Sequence, residues 1–101
     1  MDAKQIENLL SHTLHDIGKI KIGQTKSATF IYKGENKIKE IKTSCFCLSV
    51  QKINFLDRVE IKVSWNAKTT AKINKVSKKT VDIIFDNDNE ITLTLTGIIV
   101  P

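Results

Sequence analysis

Three stretches of alternation between apolar and polar residues constrain the fold of this chain more than any other feature. Their apolar members are Val59, Ile61, Val63 and Trp65 in the first stretch, Val81, Ile83 and Phe85 in the second, and Ile91, Leu93 and Leu95 in the third. Because successive side chains of a β-strand point to opposite faces, each stretch predicts a strand with one buried face and one face in water. Buried Trp65 follows from the same pattern.

Shorter signals extend this pattern to most of the chain. Residues 28–32 (ATFIY) alternate in the same way, and residues 37–43 favour a strand. Residues 33–36 (KGEN) and 86–89 (DNDN) are turn sequences, the second typical of a hairpin because Asn and Asp tolerate left-handed backbone. About seven short strands without βαβ spacing predict an all-β fold, an immunoglobulin-like antiparallel β-sandwich. At 101 residues, the chain has room for one such domain.

The first residues differ in period from the rest. Asp2 and Gln5 have the spacing of a capping box, and apolar residues follow at helical spacing. These apolar residues are Ile6, Leu9 and Leu10. The spacing predicts a short α-helix over about residues 3–11, within a helical segment 1–13 that precedes the sandwich domain 14–101. The apolar stripe has two interpretations: it docks on its own domain, or it anchors a partner subunit.

The net charge of +5 is distributed unevenly. A basic stretch without acidic residues contains Lys68, Lys72, Lys75, Lys78 and Lys79, and the acidic residues Asp82, Asp86, Asp88 and Glu90 follow it. Such a split orients a domain against a protein partner or a neighbouring copy, the alternative being a plain solvated loop beside a solvated turn. Arg58 is the chain's one arginine, which disfavours sequence-specific nucleic-acid recognition. Nonspecific phosphate binding by the lysines remains an alternative.

The remaining polar motifs indicate no catalytic or metal site. Cys45 and Cys47 are two residues apart, and in an extended strand their side chains would lie about 6.5–7 Å apart, too far for an undistorted disulfide. We expect buried thiols, the alternatives being a metal or redox role or an intermolecular disulfide. Residues 86–90 lack the glycine and the distant glutamate of an EF-hand, so a hairpin turn is favoured over a calcium site. No pattern predicts catalytic residues, a metal or a cofactor.

The sequence also carries expectations about location. Its start has acidic residues where a secretory signal needs positive charge, and no apolar run approaches the ~20 residues of a membrane span. We therefore expect no membrane span, and a place in the cytoplasm of the producing cell or in an assembled virion.

Three segments resemble a bacterial family of domains of unknown function with a Cys-Gly-Cys signature, related to the hydin-like and major-sperm-protein-like immunoglobulin domains. They are residues 14–23 (LHDIGKIKIG), 43–47 (TSCFC) and 91–100 (ITLTLTGIIV). Two features depart from the family pattern: Phe46 replaces the signature glycine, and residues 54–57 (NFLD) replace the usual Pro-Gly turn. The resemblance implies an immunoglobulin-like scaffold or interaction module without catalysis.

Together these observations predict a non-catalytic structural or interaction protein that binds a protein partner. The favoured form is a small accessory or decoration subunit of a larger assembly such as a phage capsid or tail, an analogy drawn at the level of fold. Its docking candidates are the apolar stripe and the basic stretch. The alternatives are a nonspecific nucleic-acid-binding protein that uses the lysine-rich stretch, and an envelope-associated binding module.

Overall fold

A computed structural model describes residues 7–68 and 73–101 of the chain. Within them, seven β-strands form two sheets. The strands are β1 (Leu14–Lys21), β2 (Thr25–Tyr32), β3 (Ile38–Thr43), β4 (Leu48–Asn54), β5 (Val59–Asn66), β6 (Val76–Phe85) and β7 (Glu90–Val100). The strand order is β1-β7-β6-β3 in the first sheet and β2-β5-β4 in the second. The all-β prediction with about seven strands is confirmed.

The strand pairing is antiparallel with one exception. β7 pairs with β6, β3 with β6, and β5 with both β2 and β4, in each case antiparallel. β1 instead runs parallel to β7, from Leu14 opposite Thr94 to Lys21 opposite Val100. The expectation of a wholly antiparallel sandwich is therefore wrong at this edge. Alternation along a strand predicts which face is buried but carries no information on the direction of its neighbour.

One hydrophobic core lies between the sheets. Phe30, Ile61 and Trp65 enter it from the second sheet, and Val81 and Leu93 from the first. The three alternating stretches bury their apolar faces as predicted, apart from Val59, which is half-buried. Trp65 has a relative exposure of 1%, so its predicted burial is confirmed. Burial of these apolar side chains supplies most of the stability of the domain.

The predicted N-terminal helix is not present in the described part of the chain. Only Glu7 has helical backbone, and a turn follows in which the Leu10 amide donates to the Glu7 carbonyl. Leu10 then pairs with Tyr32 as an isolated β-bridge. The rest of the predicted helix, residues 3–6, lies outside the described residues. The helix is wrong over residues 8–11 because pairing with the edge of β2 satisfies this backbone better than a marginal helix does.

The loops and turns that connect the strands lie at two opposite ends of the sandwich. We call the "cysteine end" the one formed by residues 44–47, residues 66–68 and the start of β6. The "hairpin end" is formed by the β4–β5 turn, residues 55–58, and the β6–β7 turn, residues 86–89. A ring contact between Tyr32 and Phe85, with centroids 5.0 Å apart, places both hairpins at the same end. None of the described residues forms an apolar helix of membrane-spanning length.

Candidate functional site

The two cysteines lie in the turn that carries the chain from β3 in one sheet to β4 in the other. They are joined by a disulfide, with Cα atoms 5.1 Å apart. The expectation of two free thiols is therefore wrong. The sequence argument placed Cys45 and Cys47 in an extended strand, whereas a turn shortens their Cα separation to a distance that a disulfide spans.

Hydrogen bonds fix this turn independently of the bridge. The Leu48 amide donates to the Cys45 carbonyl at 3.2 Å, and the Asn66 amide at the end of β5 donates to the Cys47 carbonyl at 2.9 Å. The Cys47 amide also donates to Sγ of Cys45 at 3.1 Å. On the other side, Ser44 Oγ accepts the amide of Thr80 in β6 at 2.9 Å. The turn is thus anchored to both sheets.

Phe46 projects from the middle of this turn into solvent, with a relative exposure of 101%. Val76, at the start of β6, is 71% exposed, and the neighbouring Ile73 bridges to Ile99 of β7 while remaining exposed. Single exposed apolar residues are common on protein surfaces, but several of them at one end of a domain form a patch that favours a protein contact. The cysteine end carries such a patch.

A groove of about 410 Å³ opens beside the disulfide. Cys45, Cys47 and Trp65 contribute to its lining, together with three lysines. These lysines are Lys68, Lys78 and Lys79. The ammonium of Lys79 lies 5.8 Å from the centroid of the Trp65 ring, within the range of a cation–π contact. The groove therefore combines an apolar floor with a cationic rim.

The basic and acidic parts of the sequence lie at opposite ends of β6. Lys75 is exposed and lies three residues before Lys78 in the sequence. Lys72 lies outside the described residues. At the hairpin end, Asp88 pairs with Lys39 at 3.1 Å, and the amides of Phe85 and Asp88 close the turn. β6 has ten residues, so about 33 Å separates the two ends. The charge split predicted from the sequence is thus aligned with the long axis of the domain.

The predicted hairpin over residues 86–89 is present. Asp88 has a φ of +65°, the left-handed conformation that the DNDN sequence favours. The Asn87 side chain accepts the Asn89 amide at 3.1 Å. Within residues 7–68 and 73–101, no three His, Cys, Asp or Glu side chains come close enough together to hold a metal ion.

The apolar stripe of the N-terminal segment does not form one surface. Leu10 is 8% exposed and belongs to the core, as expected if the stripe docks on its own domain. Leu9 is half-buried and lines a second groove of about 350 Å³ with Ser11, Ile31 and Lys33. Ile6 lies outside the described residues. Among the described members of the stripe, Leu9 is therefore the one that is accessible at the surface.

Two histidines lie together at the contact between β1 and β2. His12 Nε2 and His15 Nδ1 are 3.0 Å apart, and the His12 ring stacks on Phe30 with centroids 4.6 Å apart. Ser11 Oγ lies 2.9 Å from Nδ1 of His12. Partial burial lowers the pKa of His12 from its ordinary value, and repulsion from His15 lowers it further. No sequence pattern gave a signal for the contact of these histidines with a core phenylalanine.

Phe46 and Val76 are the surface residues that sequence reasoning missed. Phe46 was identified only as a departure from a family signature, and Val76 belongs to no alternating stretch. The available signal was an aromatic residue between two cysteines in a segment without clear alternation. That pattern predicts a constrained turn, and an aromatic side chain at the tip of a turn is exposed.

Comparison with known proteins bears on the fold alone. No protein-family model matches the chain, and no curated protein gives a significant match. The structure is similar to the GspB Siglec domain, with a TM-score of 0.66 and 8% identity over 92% of this chain and 58% of that one. It is also similar to the secreted serine protease VesC from Vibrio cholerae, with a TM-score of 0.62 and 12% identity over 97% of this chain and 25% of that one. The chain thus spans 58% and 25% of the lengths of these two proteins.

Proposed function

We propose that this chain is a non-catalytic interaction module with an immunoglobulin-like β-sandwich, and that it docks on an acidic protein surface through its cysteine end. The carrying observation is Phe46, fully exposed on a disulfide-closed turn beside a groove rimmed by lysines. The immunoglobulin-like assignment is supported by seven strands in two sheets and by the sequence resemblance to immunoglobulin-related domains.

The shape and chemistry of this end favour a protein partner. An exposed aromatic side chain on a fixed turn loses little conformational entropy on binding and fills a pocket on a partner, as interface anchors do. The surrounding lysines attract an acidic surface and set its orientation. The acidic residues Asp86, Asp88 and Glu90 that follow the basic stretch lie at the opposite end, so they do not compete for these lysines.

We expect the larger assembly to contain many copies of the site on which this module docks. We propose an accessory or decoration subunit, for example of a phage capsid or tail. A small domain whose cysteine end carries an exposed aromatic residue and a lysine-lined groove is suited to bind such a site in one orientation.

A photo-crosslinking experiment in the producing cell tests the docking surface. Benzoylphenylalanine is placed at position 46 in one variant and at position 56 in the other, because Phe46 and Leu56 are both fully exposed and lie at opposite ends. We expect a discrete protein adduct from position 46 and none from position 56. The adduct is expected to disappear when Lys78→Glu and Lys79→Glu are added.

The outcomes separate the proposals. Equal adducts at both positions, or none at position 46, would contradict docking through the cysteine end. An adduct with a protein of many copies in a purified particle supports the accessory-subunit role, whereas an adduct with a single-copy soluble protein contradicts it.

The second candidate function is nonspecific nucleic-acid binding, favoured by the three lysines that line one groove. Trp65 is buried and does not offer a stacking surface for bases, so binding would rest on phosphate contacts. The affinity for single-stranded DNA is then expected to fall steeply between 50 and 200 mM salt. Absence of binding at 50 mM salt eliminates this candidate.

A further inference from the structure

We propose that the Cys45–Cys47 disulfide is a redox-active site that exchanges with a dithiol carried on a partner protein. A docking module needs no electron transfer, so this inference goes beyond the proposed function. It rests on three observations: the place of the disulfide in the fold, the charges around it, and the hydrogen bond to one of its sulfurs.

The disulfide lies where its reduction would leave the fold intact. It closes a turn of three residues between two strands, and both cysteines line an open groove while remaining half-buried. The Leu48 and Asn66 amides hold the same turn through the carbonyls of Cys45 and Cys47. Because these hydrogen bonds do not involve sulfur, the turn keeps its anchors after reduction. A structural disulfide, in contrast, links segments far apart in the chain.

The surroundings favour the thiolate form of the reduced cysteines. Lys68, Lys78 and Lys79 line the same groove as Cys45 and Cys47, and cations in one groove with a thiolate stabilise it relative to a thiol. The Cys47 amide donates to Sγ of Cys45, which adds a hydrogen bond to that sulfur. Cys45 is therefore the better leaving group, and the incoming thiolate attacks Sγ of Cys47.

The exchange proceeds in two displacements. A thiolate of the dithiol bonds to Sγ of Cys47, the Cys45–Cys47 bond breaks, and Cys45 leaves with the electron pair as a thiolate. The second thiol of the dithiol is deprotonated and attacks the dithiol sulfur that is bonded to Cys47. That bond breaks, and Cys47 leaves as a thiolate. The dithiol loses two electrons and two protons and becomes a disulfide, and the two cysteines of this chain gain the electrons and are protonated from solvent.

The substrate class follows from the surface around the sulfurs. Phe46 lies between the two cysteines and is fully exposed, so an incoming thiol must approach alongside an apolar contact. The lysines favour a negatively charged carrier. The substrate is thus a protein dithiol on an acidic surface with an apolar neighbour, and a small dithiol supplies the same chemistry without the docking contacts.

Reduction by dithiothreitol tests the proposal. The oxidised protein is mixed with dithiothreitol under native conditions, and the reaction is followed by the fluorescence of Trp65, the chain's one tryptophan, and by mass spectrometry after alkylation. A variant with Lys68, Lys78 and Lys79 changed to Gln is compared with a control in which Lys33, Lys37 and Lys52, at the hairpin end, are changed to Gln. At low salt we expect the groove variant to react about tenfold more slowly than wild type and the control to match wild type.

Reaction of the single-cysteine variants with oxidised glutathione tests which sulfur is the stabilised thiolate. With Cys47→Ser, the remaining Cys45 accepts the hydrogen bond from the amide at position 47 and is expected to react several-fold faster near pH 7 than Cys47 does in Cys45→Ser. Circular dichroism is expected to show an unchanged β-sheet spectrum after reduction.

Three results would overturn the inference. They are a disulfide that dithiothreitol reduces only under denaturing conditions, equal reduction rates in the groove variant and the control, and two free thiols that persist after treatment with oxidised glutathione. The photo-crosslinking experiment does not depend on sulfur chemistry, so the docking proposal and the redox proposal fail separately.

Discussion

Removal of the Cys45–Cys47 bridge is expected to lower stability only modestly. The perturbation is the double substitution Cys45→Ser and Cys47→Ser, in which a serine hydroxyl at position 45 takes over as acceptor for the amide of residue 47. Because the bridge spans two positions of sequence, it closes a loop of three residues. In the chain-entropy treatment such a loop is worth about 1.6 kcal/mol at 25 °C, about half the value for a loop of 15 residues.

The assay is urea denaturation followed by Trp65 fluorescence, with thermal melting by circular dichroism as a second measurement. For a domain of this size the expected loss corresponds to a fall in Tm of about 6–13 °C. Phe46→Ser is the control for disturbance of the turn, and it is expected to leave stability within about 0.5 kcal/mol because Phe46 is fully exposed.

The result that refutes this reasoning is a loss of more than about 4 kcal/mol, or the absence of a cooperative transition, since native disulfides that hold small domains together cost about 2–5 kcal/mol when removed. The bridge would then be structural, and the hydrogen bonds of the turn would be too weak to hold it. A modest loss leaves the sulfur pair free to serve a chemical role.

Three further predictions concern the core and the histidine pair. Gly97→Ala is expected to cost about 1–3 kcal/mol in chemical denaturation, because an added methyl would lie 2.8 Å from Cγ1 of Ile17 and 3.1 Å from the Trp65 ring; a loss below about 0.5 kcal/mol would contradict this packing. Gly34→Ala is expected to lower Tm measurably, because the methyl would overlap the Tyr32 ring and hydroxyl; an unchanged Tm refutes the close approach. The lowered pKa of His12 means that the folded state resists protonation, so stability is expected to be complete above the unfolded value of about 6.5 and to decrease as the pH falls below it. Melting curves from pH 8 to pH 5 measure this decrease, and His12→Gln is expected to flatten it; an equally steep decrease in that variant would assign it to other groups.

The sequence predicted the strands because burial imposes a period of two. Val81 and Leu93 lie in stretches whose alternation matches the observed core. Reasoning from periodicity failed for the N-terminal segment, where Ile6, Leu9 and Leu10 have helical spacing. Their outcome was decided by the exposed edge of β2, a tertiary feature that no local pattern describes.

The candidate site was harder to predict than the core. Whether residues two apart form a disulfide depends on the backbone between them. The alternation pattern did not distinguish a strand from a turn at Cys45 and Cys47. The groove lysines were identified as a basic stretch, but the position of Lys78 and Lys79 beside the disulfide arises from pairing between β3 and β6. Such proximity is set by topology rather than by sequence spacing.

The parallel pairing of β1 with β7 has a mechanical consequence. Leu14 begins β1 opposite Thr94, and Lys21 ends it opposite Val100, so the start of the first strand and the end of the last lie at opposite ends of one ladder. A force that pulls these two points apart acts along the strands and loads all the hydrogen bonds of the ladder together. An antiparallel pair would place the same two points side by side, and its bonds would break one after another. The geometry of this strand pair therefore resists a force that separates these two points along the strands.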